Sequence, residues 1–397
     1  MKEDGAKNAR RRFLAWIIWV LVFLVIGGDV IRRPHSHTTT PTYRLASAQW
    51  WAGQDPYSYR NHDGFLYFPQ AAILFTPFTW GPPLLGDLLW RAANFGLFAY
   101  AIIRLQAFFL ERKDGNTERT FLFLTLLAVP SSFASLRNAQ FDLPLAALSI
   151  LAAAEIALSR WNAATFWLCL AVALKPLAVV PMLLFGSIYF RTLTWRLAAG
   201  LAITFALPFL RWHPGFTAHE YVRCAQTLAW ATQANEARYS DLGALLSRVD
   251  VHPPYWMKTA ARLAAALGFF GLGLVAIRRL DRVGAAWLIG ALSADYLMLF
   301  NPRTETCSYV FLGPFLASAA LACLGIPARR RLGWALVLGA LGCACDAIPV
   351  VHGLTDRWLK PLIALLFLLV LIDALFGTKR VPFLSHRRPP GLKTNPV

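Results

Sequence analysis

Apolar residues in this chain come in near-continuous blocks close to 20 residues long, separated by short segments rich in Arg and Pro. A helix rising 1.5 Å per residue needs about 20 apolar residues to cross a bilayer's hydrocarbon, so each block reads as a candidate span. The first runs from Phe13 to Gly28. Others lie at 86–109, 120–136, 141–158, 163–174, 177–190, 197–210, 260–277, 283–300, 308–325, 332–350 and 359–376. The pattern predicts an all-α polytopic membrane protein with about 10–12 spans.

One stretch departs from the regular spacing. Residues 163–190 are too few for two full spans and are interrupted by Lys175-Pro176. The chain must nevertheless return to its starting side between Arg160 and Arg191. That predicts two short tilted helices or a re-entrant hairpin whose break lines a cavity. Two connecting segments are long, 29–85 and 211–258, and their tryptophans suit a headgroup zone. Within the first, Gln70 to Trp80 is apolar but short and bounded by prolines, which predicts an in-plane helix. Within the second, Tyr221, Ala225 and Leu228, then Leu242, Leu245, Leu246 and Val249, fall at helical spacing.

Composition narrows the class. Hydrophobic residues make up 57% of the 397 and charged residues only 15%, against about a quarter charged in soluble domains. A soluble enzyme, a disordered chain and a nucleic-acid binder are excluded together. The net charge of +18 is distributed as basic residues are in cytoplasmic loops. Lys2 to Arg12, Arg112 to Arg119, Arg160, Arg191 with Arg196, Arg278 to Arg282, Arg329 to Arg331 and the tail all fall on one side. No small-residue cleavage site follows the first block, so it reads as a retained span. The expected organisation is a cytoplasmic basic N-terminus (1–12), a membrane domain (13–376) with outward loops 29–85 and 211–258, and a cytoplasmic basic tail (377–397).

Charges on the outward side are the informative ones, because orientation is better served without them. Arg137, Lys175 and Arg303 stand at three separate outward turns. Cations at a membrane edge can hold a lipid phosphate, Arg with a forked pair of hydrogen bonds and Lys as a point charge; snorkelling to the interface is the competing reading. Asp29, Asp55 and Asp63 lie on the outward side, where any acid could act as a general base, and Asp29 stands out because it closes the first span. Asp87, Asp142, Glu220, Glu236, Asp241, Asp250, Glu305 and Asp356 share that side. Glu155 and Asp295 sit inside predicted spans and call for partners in the bundle. His35 and His37 lack a third ligand at metal-binding spacing. Cys224 and Cys307 are the outward thiols, and the other four cysteines read as small hydrophobes. No phosphate-cradling glycine loop is present, which disfavours an ATP-driven pump. Nothing in the sequence calls for a metal or other cofactor.

A family resemblance emerges from these segments. Tyr43-Arg44-Leu45-Ala46, Gly53-Gln54-Asp55-Pro56-Tyr57 and Phe65-Leu66-Tyr67-Phe68-Pro69 resemble the first outward loop of glycosyltransferase family 87. Ala139-Gln140-Phe141-Asp142 resembles that family's Gly-Gln-x-Asn turn, Leu174-Lys175-Pro176 its Lys-Pro break, and Asn301-Pro302-Arg303-Thr304-Glu305 its late outward turn. The resemblance covers most of residues 13–325. It implies a GT-C-like bundle that transfers a hexose, mannose in the related polyprenyl-phosphate-mannose-dependent enzymes, from a polyprenyl phosphate to a lipid or glycan acceptor outside a bacterial inner membrane.

On that resemblance Arg137, Lys175 and Arg303 bind the donor phosphate. Tyr57, Tyr67, Gln140, Asp142 and Glu305 contact substrate, and an acid of the first outward loop takes the acceptor proton. One departure matters: the family's Asp about four residues before the matched tyrosine is Thr39 here. Asp29, Asp55 or Asp63 must then supply the base, or activity is lost. Implied partners are the lipid-linked donor, the acceptor and membrane lipids. A lipid-linked sugar transporter and a non-catalytic scaffold of the same fold remain as alternatives.

Overall fold

The computed structural model describes residues 2–57, 64–109, 117–210, 213–231, 239–345, 349–355 and 357–377. Asp63, Glu236, Asp356 and the tail from 378 onward lie outside the described residues. Among the described residues every regular element is helical. The all-α polytopic architecture expected from the apolar blocks is the one observed.

The chain opens with α1 (Lys2–Arg32) and crosses to two short helices, α2 (Thr40–Ala52) and α3 (Pro69–Phe75), the latter continued by a 3-10 turn at Thr76–Thr79. The predicted in-plane segment is thus helical and short, and α2 is an element the apolar pattern did not signal. Long α4 (Pro83–Phe109) follows, then α5 (Thr117–Ala128), α6 (Phe133–Asn138) and α7 (Asp142–Ala157). Next come α8 (Trp161–Leu174), α9 (Val179–Ile188) and α10 (Phe190–Ala206), and in the second long connection α11 (Pro214–Ala231) and α12 (Leu242–Ser247). The last part holds α13 (Tyr255–Arg279), α14 (Arg282–Phe300), α15 (Gly313–Leu324), α16 (Arg330–Gly342), α17 (Pro349–Thr355) and α18 (Leu359–Phe376).

Among the described residues eight helical stretches are long and apolar enough to cross a membrane, and Trp161–Leu174 and Pro176–Ile188 are shorter apolar helices. The core sits around α7, all of whose residues are buried. α7 packs on α4, α8 and α14, while α1 and α15 flank α5. At the periphery α10 and α13 leave Ile203, Leu263 and Leu267 exposed, an apolar surface of the kind lipid covers.

Two features carry the architecture toward the site. Lys175 is fully extended (φ −152°, ψ 132°) and ends α8. The following Pro176 cannot continue the α8 hydrogen-bond ladder, and a 3-10 turn leads into α9. The break anticipated at Lys175-Pro176 is therefore real, and it exposes one side chain at the meeting point of two helices. At the other end of α7, Glu155 accepts a hydrogen bond from Arg104 and lies 3.7 Å from Arg160. Arg282 bonds Ser159 nearby, and Arg196 donates to Asn162 at 2.8 Å. Basic residues thus gather at the end of the bundle remote from Asp142, and the acid within the span at 155 has the partners its position required.

Candidate active site

Four segments distant in sequence meet at the N-terminal end of α7. The turn between α6 and α7 is held from below by Arg91, whose side chain is 1% exposed. Its Nε donates to the Leu136 carbonyl at 3.1 Å, and Nη2 donates to the Arg137 carbonyl at 2.8 Å and to Thr38 Oγ1 at 3.0 Å. Trp90 Nε1 donates to the Ala139 carbonyl at 2.9 Å. Thr39 closes the same turn from above, its hydroxyl donating to the Asn138 carbonyl at 2.9 Å. Arg91 lies within the block at 86–109, and the sequence analysis passed it over. A guanidinium inside an apolar block is a signal that could have found it, since such a charge needs acceptors in the bundle.

Above this turn lies a cavity of about 570 Å³, in the range of small-molecule sites. Thr39, Thr42 and Tyr43 of the α2 region line it, with Gly64, Leu66 and Tyr67 before α3, Gln140, Lys175 at the α8–α9 break, and Asn301, Arg303 and Glu305 after α14. Of the side chains singled out from the sequence, Tyr67, Gln140, Lys175, Arg303 and Glu305 line one space. Asp142 is completely buried just beneath, accepting from Lys175 Nζ and, at 2.8 Å, from Ser308 Oγ. Lys175 therefore holds its charge against an acid and presents the remaining ammonium hydrogens toward the cavity. The Arg303 guanidinium lies 5.4 Å from the Tyr239 ring centre.

The other candidates lie apart from this cavity. Asp29 and Arg137 form an ion pair at 2.8 Å, both about a third exposed, and neither lines the cavity. Asp55 accepts from the backbone N–H of Tyr57 at 2.7 Å and from Arg223 Nε at 3.0 Å. Tyr57 is buried, and its hydroxyl donates to the Tyr67 carbonyl at 2.8 Å. It supports Tyr67 from behind. Asp63 lies outside the described residues, next in sequence to Gly64. Cys224 and Cys307 are both buried free thiols.

The electrostatics of the two tyrosines restrict their chemistry. Tyr43 and Tyr67 share a hydrogen bond between hydroxyls at 3.1 Å. Burial is the main cause that pushes both well above the ordinary phenol range, because a desolvated phenolate is unfavourable. They remain neutral donors and acceptors at the cavity wall. Glu305 differs: its Oε2 accepts from Gln140 Nε2 at 2.6 Å and from Cys307 Sγ at 3.4 Å. Gln140 Oε1 in turn accepts from Cys307 Sγ at 2.8 Å, which fixes the amide in one orientation.

Two basic residues, a hydrogen-bonded carboxylate and aromatic walls thus meet in one cavity. The family model of glycosyltransferase family 87 matches residues 65–302, more than half of the chain. The chain belongs to that family. The matched stretch contains Tyr67, Gln140, Asp142 and Lys175 and stops one residue before Arg303; it is narrower than the resemblance over 13–325. No curated protein matches the chain. As a family 87 glycosyltransferase, this multi-pass protein has a sugar donor and an acceptor as its substrates.

Proposed function

We propose that the donor is a hexosyl polyprenyl phosphate, with mannose as the first sugar to test, and that the acceptor is the hydroxyl of a lipid or glycan. The observation that carries this reading is that a polar cavity and an apolar one adjoin at a shared lining residue. The polar cavity with Lys175 and Arg303 shares Val180 with a second cavity of about 350 Å³. That second space is lined by Val180, Leu183, Leu184, Ala266, Leu267, Phe269 and Phe270 among others. It lies between α9, α13 and α14, next to the exposed apolar face of α13. A charged head beside an apolar trough matches a phosphate joined to an isoprenoid chain.

In this reading Lys175 and Arg303 meet the phosphate and stabilise the charge that grows as the glycosidic bond breaks. Tyr67 and Tyr43 pack against the sugar. Arg137, paired with Asp29, contributes to the field at the turn rather than by contact. The orientation follows the basic residues: both termini cytoplasmic, the cavity on the outer side, and a bacterial inner membrane as the location.

Lys175→Ala alone would leave Asp142 buried without its cation, a change costing about 3–5 kcal/mol in comparable pairs. The test therefore uses Lys175→Met combined with Asp142→Asn, alongside Asp142→Asn alone. Purified protein in lipid is given polyprenyl-phosphate [³H]mannose and an extract of membrane lipids. The wild type is expected to label a new lipid. Asp142→Asn is expected to bind polyprenyl phosphate more tightly, since no buried acid competes for the ammonium. The double variant is expected to lose binding by at least about tenfold with folded protein retained. Undiminished binding in the double variant would remove Lys175 from the phosphate site.

A further inference from the structure

We propose that Glu305 is the base that removes the acceptor's proton. The proposal rests on the lipid-phosphate reading of the same cavity. Its basis is where each carboxylate lies. Asp29 is paired with Arg137 and Asp55 with Arg223, both away from the cavity. Asp87 is salt-bridged to Arg44 at 2.9 Å beside α4. Asp142 is wholly buried against Lys175, and Asp241 caps α12 by accepting from the Ala244 N–H at 3.0 Å. Glu220 is 1% exposed beside Asp55. Among the described residues, Glu305 is the carboxylate that lines the cavity.

Its geometry is that of an oriented base. Gln140 and Cys307 both donate to Oε2, and among the described residues no hydrogen bond is made to Oε1. One oxygen anchors the group and the other is available to an incoming hydroxyl. Thr39, which also lines the cavity, donates its hydroxyl to the Asn138 carbonyl and has no acid to offer. The neutral tyrosines cannot accept the proton either. Arg303, two residues before Glu305, and Lys175 bring the phosphate to the same space, so base and leaving-group cations are held by neighbouring segments.

The step balances as a single displacement. The acceptor O–H bond breaks and its proton passes to Glu305 Oε1. The acceptor oxygen bonds to the anomeric carbon, and the bond from that carbon to the phosphate oxygen breaks. The phosphate keeps the electron pair and leaves as polyprenyl phosphate, facing Lys175 and Arg303. Glu305 then releases its proton to water. The product has inverted anomeric configuration. Gln140 acts as a positioning residue, holding the carboxylate rather than touching the reacting atoms.

The experiment compares full-length wild type, Glu305→Gln, Glu305→Ala and Asp63→Asn in lipid, measuring donor binding, turnover and product configuration. Glu305→Gln is expected to lower kcat by about 10²–10⁴ with donor binding changed by less than about threefold. Formate is expected to restore part of the turnover of Glu305→Ala, which a purely structural role would not allow. Glu305→Gln turning over near the wild-type rate, an equal loss of binding and turnover, or retained anomeric configuration would each overturn the assignment. Loss confined to Asp63→Asn would move the base to that residue. Wild type that transfers from no lipid-phosphate sugar would overturn the donor reading itself, an outcome separate from failure of the Glu305 variants alone.

Discussion

Ala139 shows how much one residue's backbone matters here. Its φ of 56° is left-handed, a conformation that costs an L-residue roughly 1–2 kcal/mol and that glycine adopts freely. The turn endures because Trp90 binds its carbonyl, Arg91 binds those of Leu136 and Arg137, Thr39 binds that of Asn138, and Gln140 N–H donates to the Ser135 carbonyl at 3.1 Å. The next residue, Gln140, is the one that holds Glu305. Ala139→Gly is expected to leave stability within about 1 kcal/mol, since relief of strain offsets the lost methyl. Ala139→Val, β-branched at positive φ, is expected to cost about 2 kcal/mol or more and to reduce transfer. Thermal unfolding in detergent and turnover in lipid check both. A stable, active Val variant would show that the turn is less constrained than its hydrogen bonds indicate.

At the scale of elements, the site depends on short helices being fastened over long ones. α3 and its 3-10 turn lie so close to α4 that a Cβ on Gly86 would stand 1.9 Å from the Phe78 carbonyl oxygen. Arg44 of α2 donates to that same carbonyl at 3.3 Å and to Asp87 at 2.9 Å. The segment after α2 is joined to α11 by Asp55, Arg223 and Glu220. Burial first, then the neighbouring Asp55, pushes Glu220 up to about 8, while Arg223 pulls the other way.

A carboxyl raised in the folded state binds its proton more tightly there than in the opened state. Its contribution is complete below the ordinary carboxylate range and is lost as pH rises towards 8. Tyr57, Tyr221 and Cys224 face the same cluster and stay neutral over that range because burial raises each of them. Hydrogen exchange of the 40–57 segment, corrected for intrinsic rates, is therefore expected to show protection falling between about pH 5 and pH 8. Glu220→Gln should flatten that dependence. An unchanged slope in the variant would assign the pH response elsewhere.

Across the whole molecule, the bundle holds a polar cavity and an apolar trough that share one lining residue, Val180. The basic ends of α4, α8, α10 and α14 gather opposite the polar cavity, and the apolar trough lies beside α13. If that trough holds the isoprenoid chain, filling it with Ala266→Trp should lower turnover of a long-chain donor by about tenfold or more and spare a short prenyl donor. Kinetics with both donors decide it. Equal losses with the two would mean the trough does not hold the chain.

Much of this was legible before any coordinates. Block length and basic residues marked the helices, and the Lys175-Pro176 pair marked a break that the structure contains, because a proline after a lysine in an apolar run leaves few other conformations. The residues singled out by the resemblance, Tyr67, Gln140, Lys175 and Glu305, were also readable, and they do share a cavity. Arg91 was hidden because its partners are carbonyls of a turn 45 residues or more away. The fates of Asp29 and Asp55 were equally hidden, since each depends on an arginine more than 100 residues distant, Arg137 and Arg223.

What the sequence determined by itself was local: which segments are helical, where they stop and which residue types stand at their ends. Length, apolarity and proline act within a few residues, so they can be read along the chain. Which acid lines the cavity was decided by tertiary structure alone. Residues 39, 140, 175 and 305 meet only when α2, α7, α9 and α14 pack together. That packing buries Asp142, pairs Asp29 and Asp55 with arginines, and leaves Glu305 lining the cavity.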